Sequence, residues 1–249
     1  MSVWSLPLLL PLFLTVACKQ SADGDALCDG RALRWSMRGL VGFKREAVRL
    51  KAVRCYRSGF YSEESVASDA QCACQAGELL DSGGLSLAAI RDLSLGAELD
   101  AGEWGVRCAL KLGELYLDEE RAVEALLVFS EAARSRAPSR LLERAMVSVG
   151  RALDLMGESA LAVKTWRGVA QDGRSSIPRL DAFECWGKHL LVQGDLEGAA
   201  GVLERCRVAL EVNAQEMTRS GAVLRERLIS SSFARSIRLE TLCRYREMR

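Results

Sequence analysis

Hydrophobic and polar positions between residues 70 and 211 follow a helical period, and this pattern itself recurs along the chain. Glycines recur at steps of 36, 37 and 37 residues. An alanine stands twelve residues after each glycine, and a large apolar residue four positions later. The aligned columns are Gly77, Gly113, Gly150 and Gly187; Leu80, Tyr116, Leu153 and Leu190; Ala89, Ala125, Ala162 and Ala199; and Leu93, Phe129, Trp166 and Leu203. The pattern predicts repeated pairs of antiparallel helices.

The glycine inside each first helix needs a packing reason, because a helix-interior glycine costs about 1 kcal/mol relative to alanine. We expect Gly113 to make room for the helix that carries Ala125, so that the two backbones approach closely. Turn-like sequences separate the two halves of a repeat, as in SGGL at 82–85, MGES at 156–159 and QGDL at 193–196. Such a repeat cannot bury its apolar face alone, so neighbouring repeats are expected to stack.

The second copy of the pattern resembles the tetratricopeptide repeat. The matching residues are Leu112, Gly113, Tyr116, Ala125, Phe129, Ala132 and Pro138. This resemblance implies an all-α fold, a right-handed α-solenoid of antiparallel helix pairs, with about four clear repeats over residues 70–211. Only four prolines in 249 residues, together with abundant Ala, Leu, Arg and Glu, also favour helix.

Two flanking segments are predicted to cap the stack, since terminal repeats must hide its open ends. Residues 31–59 form a basic helical pattern. Leu40, Ala52 and Tyr56 there fall in the repeat columns, which leaves open a degenerate repeat or a plain capping pair. Residues 212–249 are predicted to form one or two C-terminal capping helices.

The first 17 residues have the features of a secretory signal peptide: a short apolar run ends in small residues before Cys18. The sequence LTVAC resembles a bacterial lipobox, which implies a lipid on Cys18. We therefore expect an exported lipoprotein, held at the periplasmic face of the outer membrane by the N-terminal segment 18–69. An ordinary signal peptide, or a cytosolic protein whose leader is no signal, are the alternatives.

Charge is balanced overall but unevenly distributed. The net charge of +1 argues against general nucleic-acid binding. Residues 19–60 carry ten basic and four acidic residues, whereas residues 61–105 carry nine acidic residues and Arg91 alone. We expect the basic segment to pair with the acidic one; contact with anionic lipid headgroups is the alternative.

Eight cysteines remain after Cys18, an even number that is compatible with disulfides in an exported protein. The better disulfide candidates are Cys28, Cys55, Cys72 and Cys74. The apolar helical surroundings of Cys108, Cys185 and Cys206 favour buried thiols. The pair Cys72 and Cys74 also raises an alternative function, a cysteine-based redox or metal-binding module.

No catalytic constellation is found in the sequence. His189 is the single histidine, and Cys185 one turn before it gives too few ligands for a structural metal site. Glycine-rich phosphate loops are absent. We expect no enzymatic activity, cofactor, metal or small-molecule substrate.

The expected function is a non-enzymatic adaptor of the cell envelope that binds a peptide or helix of another envelope protein. The tetratricopeptide resemblance implies a groove lined by the first helix of each repeat. Carried onto this sequence, the groove residues are Glu78, Arg107, Leu110, Glu114, Arg144, Val147, Arg151, Glu184, Lys188 and Leu191. Assembly of outer-membrane proteins or of pili is the process that this resemblance implies.

Overall fold

The computed structural model describes residues 18–20, 26–28, 37, 40–58 and 66–216. Within this part of the chain a short antiparallel hairpin, β1 (Cys18–Gln20) and β2 (Ala26–Cys28), precedes nine α-helices. The helices are α1 (Gly42–Ser58), α2 (Val66–Asp81), α3 (Ser86–Leu99), α4 (Glu103–Asp118), α5 (Ala122–Ala133), α6 (Ser139–Leu155), α7 (Ser159–Asp172), α8 (Ser176–Val192) and α9 (Leu196–Glu216). The predicted all-α helical-repeat fold is confirmed, with the hairpin as a small addition.

The chain forms two compact units, residues 1–115 and 116–249. In the first unit α1 packs on α2 and α2 packs on α3. In the second, each helix from α5 to α9 packs on the next one in sequence, and α6 also packs on α8. The first helices of successive repeats are α2, α4, α6 and α8, and the second helices are α3, α5, α7 and α9.

Each first helix ends in the same left-handed turn. Gly84, Glu120, Gly157 and Gly194 have φ angles of 74°, 60°, 83° and 79°. In every copy the N–H of the next residue donates to the carbonyl five positions back, as from Leu85 to Leu80 at 3.0 Å and from Glu158 to Leu153 at 2.9 Å. This is the Schellman arrangement, which satisfies helix-end carbonyls and favours glycine. The turns predicted in the first, third and fourth repeats are therefore confirmed. The second repeat has the same turn with Glu120 in place of glycine.

At Gly77 and Gly150, the two repeat glycines whose surroundings are described, a large side chain occupies the space that the glycine leaves. A Cβ on Gly150 would lie 2.3 Å from Nε1 of Trp166, and one on Gly77 would lie 2.5 Å from Cγ of Leu93. At Gly77 the Ala89 carbonyl oxygen is also close, at 3.3 Å from the position of the added Cβ. The expectation of glycine facing alanine is therefore corrected at these two positions: the large residue four positions after the alanine fills the space. For Gly113, which is buried, the close approach to the helix of Ala125 stays a prediction.

Helix α1 behaves as the second helix of a preceding, partial repeat. Ala52 and Tyr56 are buried at 0% and 7% exposure, as their columns require. Leu40, however, lies before the helix, where its N–H donates to the Met37 carbonyl. Arg57 joins α1 to α3 through two hydrogen bonds to the buried carboxylate of Asp92, at 3.0 and 3.1 Å. The expected pairing of basic and acidic segments is thus confirmed for this residue.

The predicted division of the chain into a leader, repeats and capping segments stays a prediction. Helix α9 continues to Glu216, five residues beyond the predicted end of the repeats at residue 211. The signal peptide over residues 1–17 and the capping helices beyond residue 216 lie outside the described part of the chain. Helix α2 begins at Val66, so Cys72 and Cys74 lie in its middle.

Candidate protein-binding surface

Three arginines form a row along the exposed side of α6. Arg140, Arg144 and Arg151 are four and seven residues apart, spacings that place side chains on one face of a helix. All three side chains are exposed. The row spans about 16 Å along the helix at 1.5 Å per residue. We call Arg140, Arg144 and Arg151 the α6 arginine row.

The neighbouring first helix, α8, presents a mixed face. Glu184 and Lys188 lie one turn apart, and Nζ of Lys188 is 2.7 Å from Oε1 of Glu184. Ile177 and Leu191 follow the same side of the helix, and Ile177 is 45% exposed. Leu191 is half-buried against the core. The α8 face therefore offers an ion pair and one exposed apolar side chain, beside a surface rich in positive charge.

Glu143 fixes α6 relative to the start of α8. Its carboxylate accepts hydrogen bonds from the backbone N–H groups of Arg174 and Ser175, at 2.8 and 2.9 Å. No side-chain cap comes from Ser175 itself. A carboxylate at a helix N-terminus satisfies orphan N–H groups and interacts well with the helix dipole. Glu143 therefore caps a helix of the next repeat and holds the two first helices in register.

Two of the predicted groove residues do not reach the surface. Leu110 is 2% exposed and Val147 is 5% exposed. Val147 belongs to the apolar core of the second unit, and its carbonyl accepts a hydrogen bond from the Trp166 indole at 3.0 Å. The expectation that Leu110 and Val147 supply apolar contact area is wrong, because their positions on the helices turn them toward the core.

The predicted residues of the first unit are half-buried and engaged in contacts along their own helices or nearby. Arg107 pairs with Glu103 at 2.6 Å and also lies over the Trp104 ring, 5.0 Å from its centroid. Glu114 pairs with Lys111 at 2.8 Å. Glu78 is half-buried. Contact of these residues, and of those on α6 and α8, with a partner stays a prediction.

His189 has a structural environment. It is 8% exposed, its Nδ1 lies 2.7 Å from Oδ1 of Asp154, and its ring is 6.0 Å from that of Trp166. Burial raises the pKa of the Cys185 thiol to about 11, although the Arg151 guanidinium acts in the opposite direction. A thiol with this pKa is protonated at neutral pH and is a poor nucleophile. Cys185 and His189 therefore lack the activation that a cysteine–histidine pair needs.

Cysteine bonding differs from the sequence expectation at two of four positions. Cys55 is disulfide-bonded, as expected. In the structure Cys72 and Cys74 are reduced thiols, which differs from the disulfides expected for them. Cys28 has no described side chain. As expected, Cys108, Cys185 and Cys206 are thiols, and burial raises the pKa of Cys206 to about 12.

Other features bear on the metal and membrane expectations. Among the described residues, no group of three or more His, Cys, Asp or Glu side chains could hold a metal ion. Within the same residues, no helix combines the length and apolarity needed to span a bilayer. The side chain of Cys18 is not described, so its lipidation stays a prediction.

Sequence reasoning missed Arg140 and several exposed apolar residues. Arg140 lies in the first turn of α6, where a cation opposes the helix dipole. Its spacing from Arg144 could have revealed the row. Leu155 and Val192, 37 residues apart, end α6 and α8 and are 65% and 88% exposed. The repeat period relates them, but exposure at a helix end cannot be read from periodicity.

Comparison with known proteins supports the fold. No protein-family model and no curated protein sequence matches the chain. Among solved structures, the crystal structure of MamA is similar over 71% of this chain and 99% of that one, with 16% identity and a TM-score of 0.50. Two structures of TPR-like repeats from a putative kinesin light chain of Podosopora anserina are similar over 75% of this chain. They cover 96% and 97% of their own chains, with 16% identity and TM-scores of 0.53 and 0.51. The chain therefore has a tetratricopeptide-like helical-repeat fold.

Proposed function

We propose that this protein is a non-enzymatic interaction scaffold that binds a segment of another protein on the exposed faces of α6 and α8. The observation that carries the proposal is the α6 arginine row, whose three side chains are exposed beside a packed neighbouring first helix. Arg140 is placed against the helix dipole. Binding of an acidic segment gives a reason for a cation at this position.

The chemistry of the row favours an acidic partner segment. Arginine binds carboxylates through two parallel hydrogen bonds and keeps its charge at all physiological pH values. The exposed side chain of Ile177 on α8 adds contact area for a hydrophobic residue of the same segment. Leu191 is half-buried and packs against the core of the second unit. An extended or helical peptide with carboxylates spaced over about 16 Å would match the row.

The cellular setting is the second part of the proposal. The apolar run before Cys18 and the sequence LTVAC support export and lipid attachment at this cysteine. We place the protein at the periplasmic face of the outer membrane, where it would hold envelope proteins during outer-membrane or pilus assembly. Incorporation of labelled fatty acid that is abolished by Cys18→Ser tests the anchor; incorporation that persists in the variant contradicts it.

Affinity capture from cross-linked cells tests the scaffold. The wild-type chain is compared with a triple variant, Arg140→Glu, Arg144→Glu and Arg151→Glu, and partners are quantified by mass spectrometry. We expect a discrete partner to be lost in the triple variant and to elute from the wild type at raised salt. The control reverses three exposed charges elsewhere, Arg91→Glu, Arg136→Glu and Lys164→Glu. Equal loss in both variants, or retention in both, contradicts the assignment of α6.

A further inference from the structure

The sulfur of Cys108 on α4 is enclosed by two other helices of the first unit. Cys108 is 0% exposed, and its Sγ donates to the carbonyl oxygen of Ala70 on α2 at 3.4 Å. On α3, a Cβ added to Gly96 would lie 2.4 Å from this sulfur, and 3.1 Å from the Cβ of Ala73 on α2. The missing side chain of Gly96 thus provides the space in which the sulfur of Cys108 reaches α2.

Cys74 is the neighbouring sulfur on α2. It lies one helical turn after Ala70 and is 1% exposed. Side chains on a helix lean toward its N-terminus, so the Cys74 sulfur lies over the turn of Ala70, whose carbonyl the Cys108 thiol contacts. The neighbouring Cys74 thiol and burial both raise the pKa of Cys108. Two buried thiols on different helices therefore lie side by side, away from solvent. Both are thiols in the structure.

The sequence pair Cys72 and Cys74 does not provide this contact. Residues two apart on a helix do not face each other, and Cys72 is half-buried whereas Cys74 is fully buried. The two sulfurs of the C-x-C motif therefore have different surroundings: that of Cys72 is half-buried, and that of Cys74 is buried on the side of α2 that faces Cys108. Cys74 and Cys108 are 34 positions apart in the sequence. Only the packing of α4 on α2 brings them together.

We propose that Cys74 and Cys108 are a site of disulfide formation that links the first helices of two successive repeats, α2 and α4. The oxidant is an external disulfide, either of a thiol oxidoreductase or of oxidised glutathione. One thiolate attacks this disulfide and releases a thiol, and the other thiolate then displaces the second thiol from the mixed disulfide. Two protons and two electrons leave the cysteine pair, and the oxidant becomes two thiols.

The timing of the reaction follows from burial. Attack requires access of the sulfur to the external disulfide, and both native thiols are buried. The link therefore closes while the first unit folds or when α4 separates transiently from α2. Once closed, it removes freedom from the unfolded chain, so it raises the melting temperature.

Refolding of the full chain in a mixture of reduced and oxidised glutathione tests the proposal. Remaining thiols are alkylated, and peptides are mapped by mass spectrometry without reduction. We expect a peptide that links Cys74 to Cys108. We also expect a melting temperature about 10 °C higher than that of a reference sample, in which the chain was unfolded, alkylated on both thiols and then refolded. The Cys206→Ser variant, whose sulfur lies in the second unit, should keep the link.

Two results would overturn the proposal. One is recovery of Cys74 and Cys108 as thiols under conditions in which Cys55 is disulfide-bonded. The other is a link from Cys108 to Cys72. Because the mapping uses the wild-type chain, it does not depend on a variant that fails to fold. The Cys108→Ala variant should lose the link and the increase in melting temperature together, and an unchanged increase would show that another bond causes it. Neither result bears on the binding surface of α6.

Discussion

The indole of Trp166 lies across the backbone of α6 at Gly150, and its N–H donates to the Val147 carbonyl at 3.0 Å. A methyl group on Gly150 would meet Nε1 of Trp166 at 2.3 Å, a distance that demands movement of the ring. Glycine at this position therefore permits both the packing and the hydrogen bond. The same relationship, without the hydrogen bond, joins Gly77 to Leu93.

Gly150→Ala is expected to destabilise the protein by about 1–3 kcal/mol, because the added methyl group displaces a buried ring. Gly168→Ala is the matched control. This glycine also lies inside a helix, but a Cβ there has no neighbour within 4 Å. The control should be stabilised by up to about 1 kcal/mol through helix propensity. Denaturant unfolding of both variants checks the prediction, and equal effects would contradict it.

Glu120→Gly is expected to stabilise the turn between α4 and α5 by about 0.5–1 kcal/mol. Glu120 has a φ angle of 60° where the other repeats have glycine, and a side chain in this conformation costs about 1 kcal/mol. The reverse change, Gly157→Glu, should destabilise by a similar amount. Open space surrounds Gly157, so its effect isolates backbone strain. Thermal unfolding of the two variants should shift in opposite directions.

Arg57→Ala is expected to cost about 1–3 kcal/mol, because it leaves the carboxylate of Asp92 buried without its two hydrogen bonds. The side chain of Arg57 is 43% exposed, which keeps the cost below that of a fully buried pair. Adding Asp92→Asn to this variant should recover part of the loss. Arg107→Ala breaks an exposed pair and should change stability by less than about 0.5 kcal/mol. A loss of equal size in both single variants would show that burial of Asp92 is irrelevant.

Cys185 is expected to react slowly with iodoacetamide at pH 8. With a pKa of about 11, about one molecule in a thousand carries the thiolate, about a hundredfold fewer than at the usual value of 9.0. The rate should rise about tenfold per pH unit up to pH 11. Because the folded pKa is raised, the folded state holds the proton more tightly, and this contribution to stability is lost as pH rises from 9 through 11. Peptide mass spectrometry measures the rate, and fast labelling of native Cys185 at pH 8 would revive a reactive-cysteine function.

The repeat columns predicted much of the local structure because periodicity reports which side of a helix is buried. Ala89, Ala125, Ala162 and Ala199 are all 0% exposed, and the turn glycines Gly157 and Gly194 have the left-handed conformation. Prediction of the surface was less complete. Arg144 and Arg151 are exposed as expected, whereas Leu110 and Val147 are core residues, because family positions do not specify the rotation of each helix in this chain.

The sequence by itself determined that this protein is built from repeated helix pairs with a 36- or 37-residue period, because small, large and turn-forming residues recur at fixed steps. The tertiary structure alone decided which distant atoms meet: Arg57 with Asp92, the Cys108 sulfur with the Ala70 carbonyl, and the Glu143 carboxylate with the start of α8. These contacts depend on the offset and rotation of one helix against another. Helical periodicity specifies the buried side of each helix but not its position along a neighbour, which packing of the whole set of side chains determines.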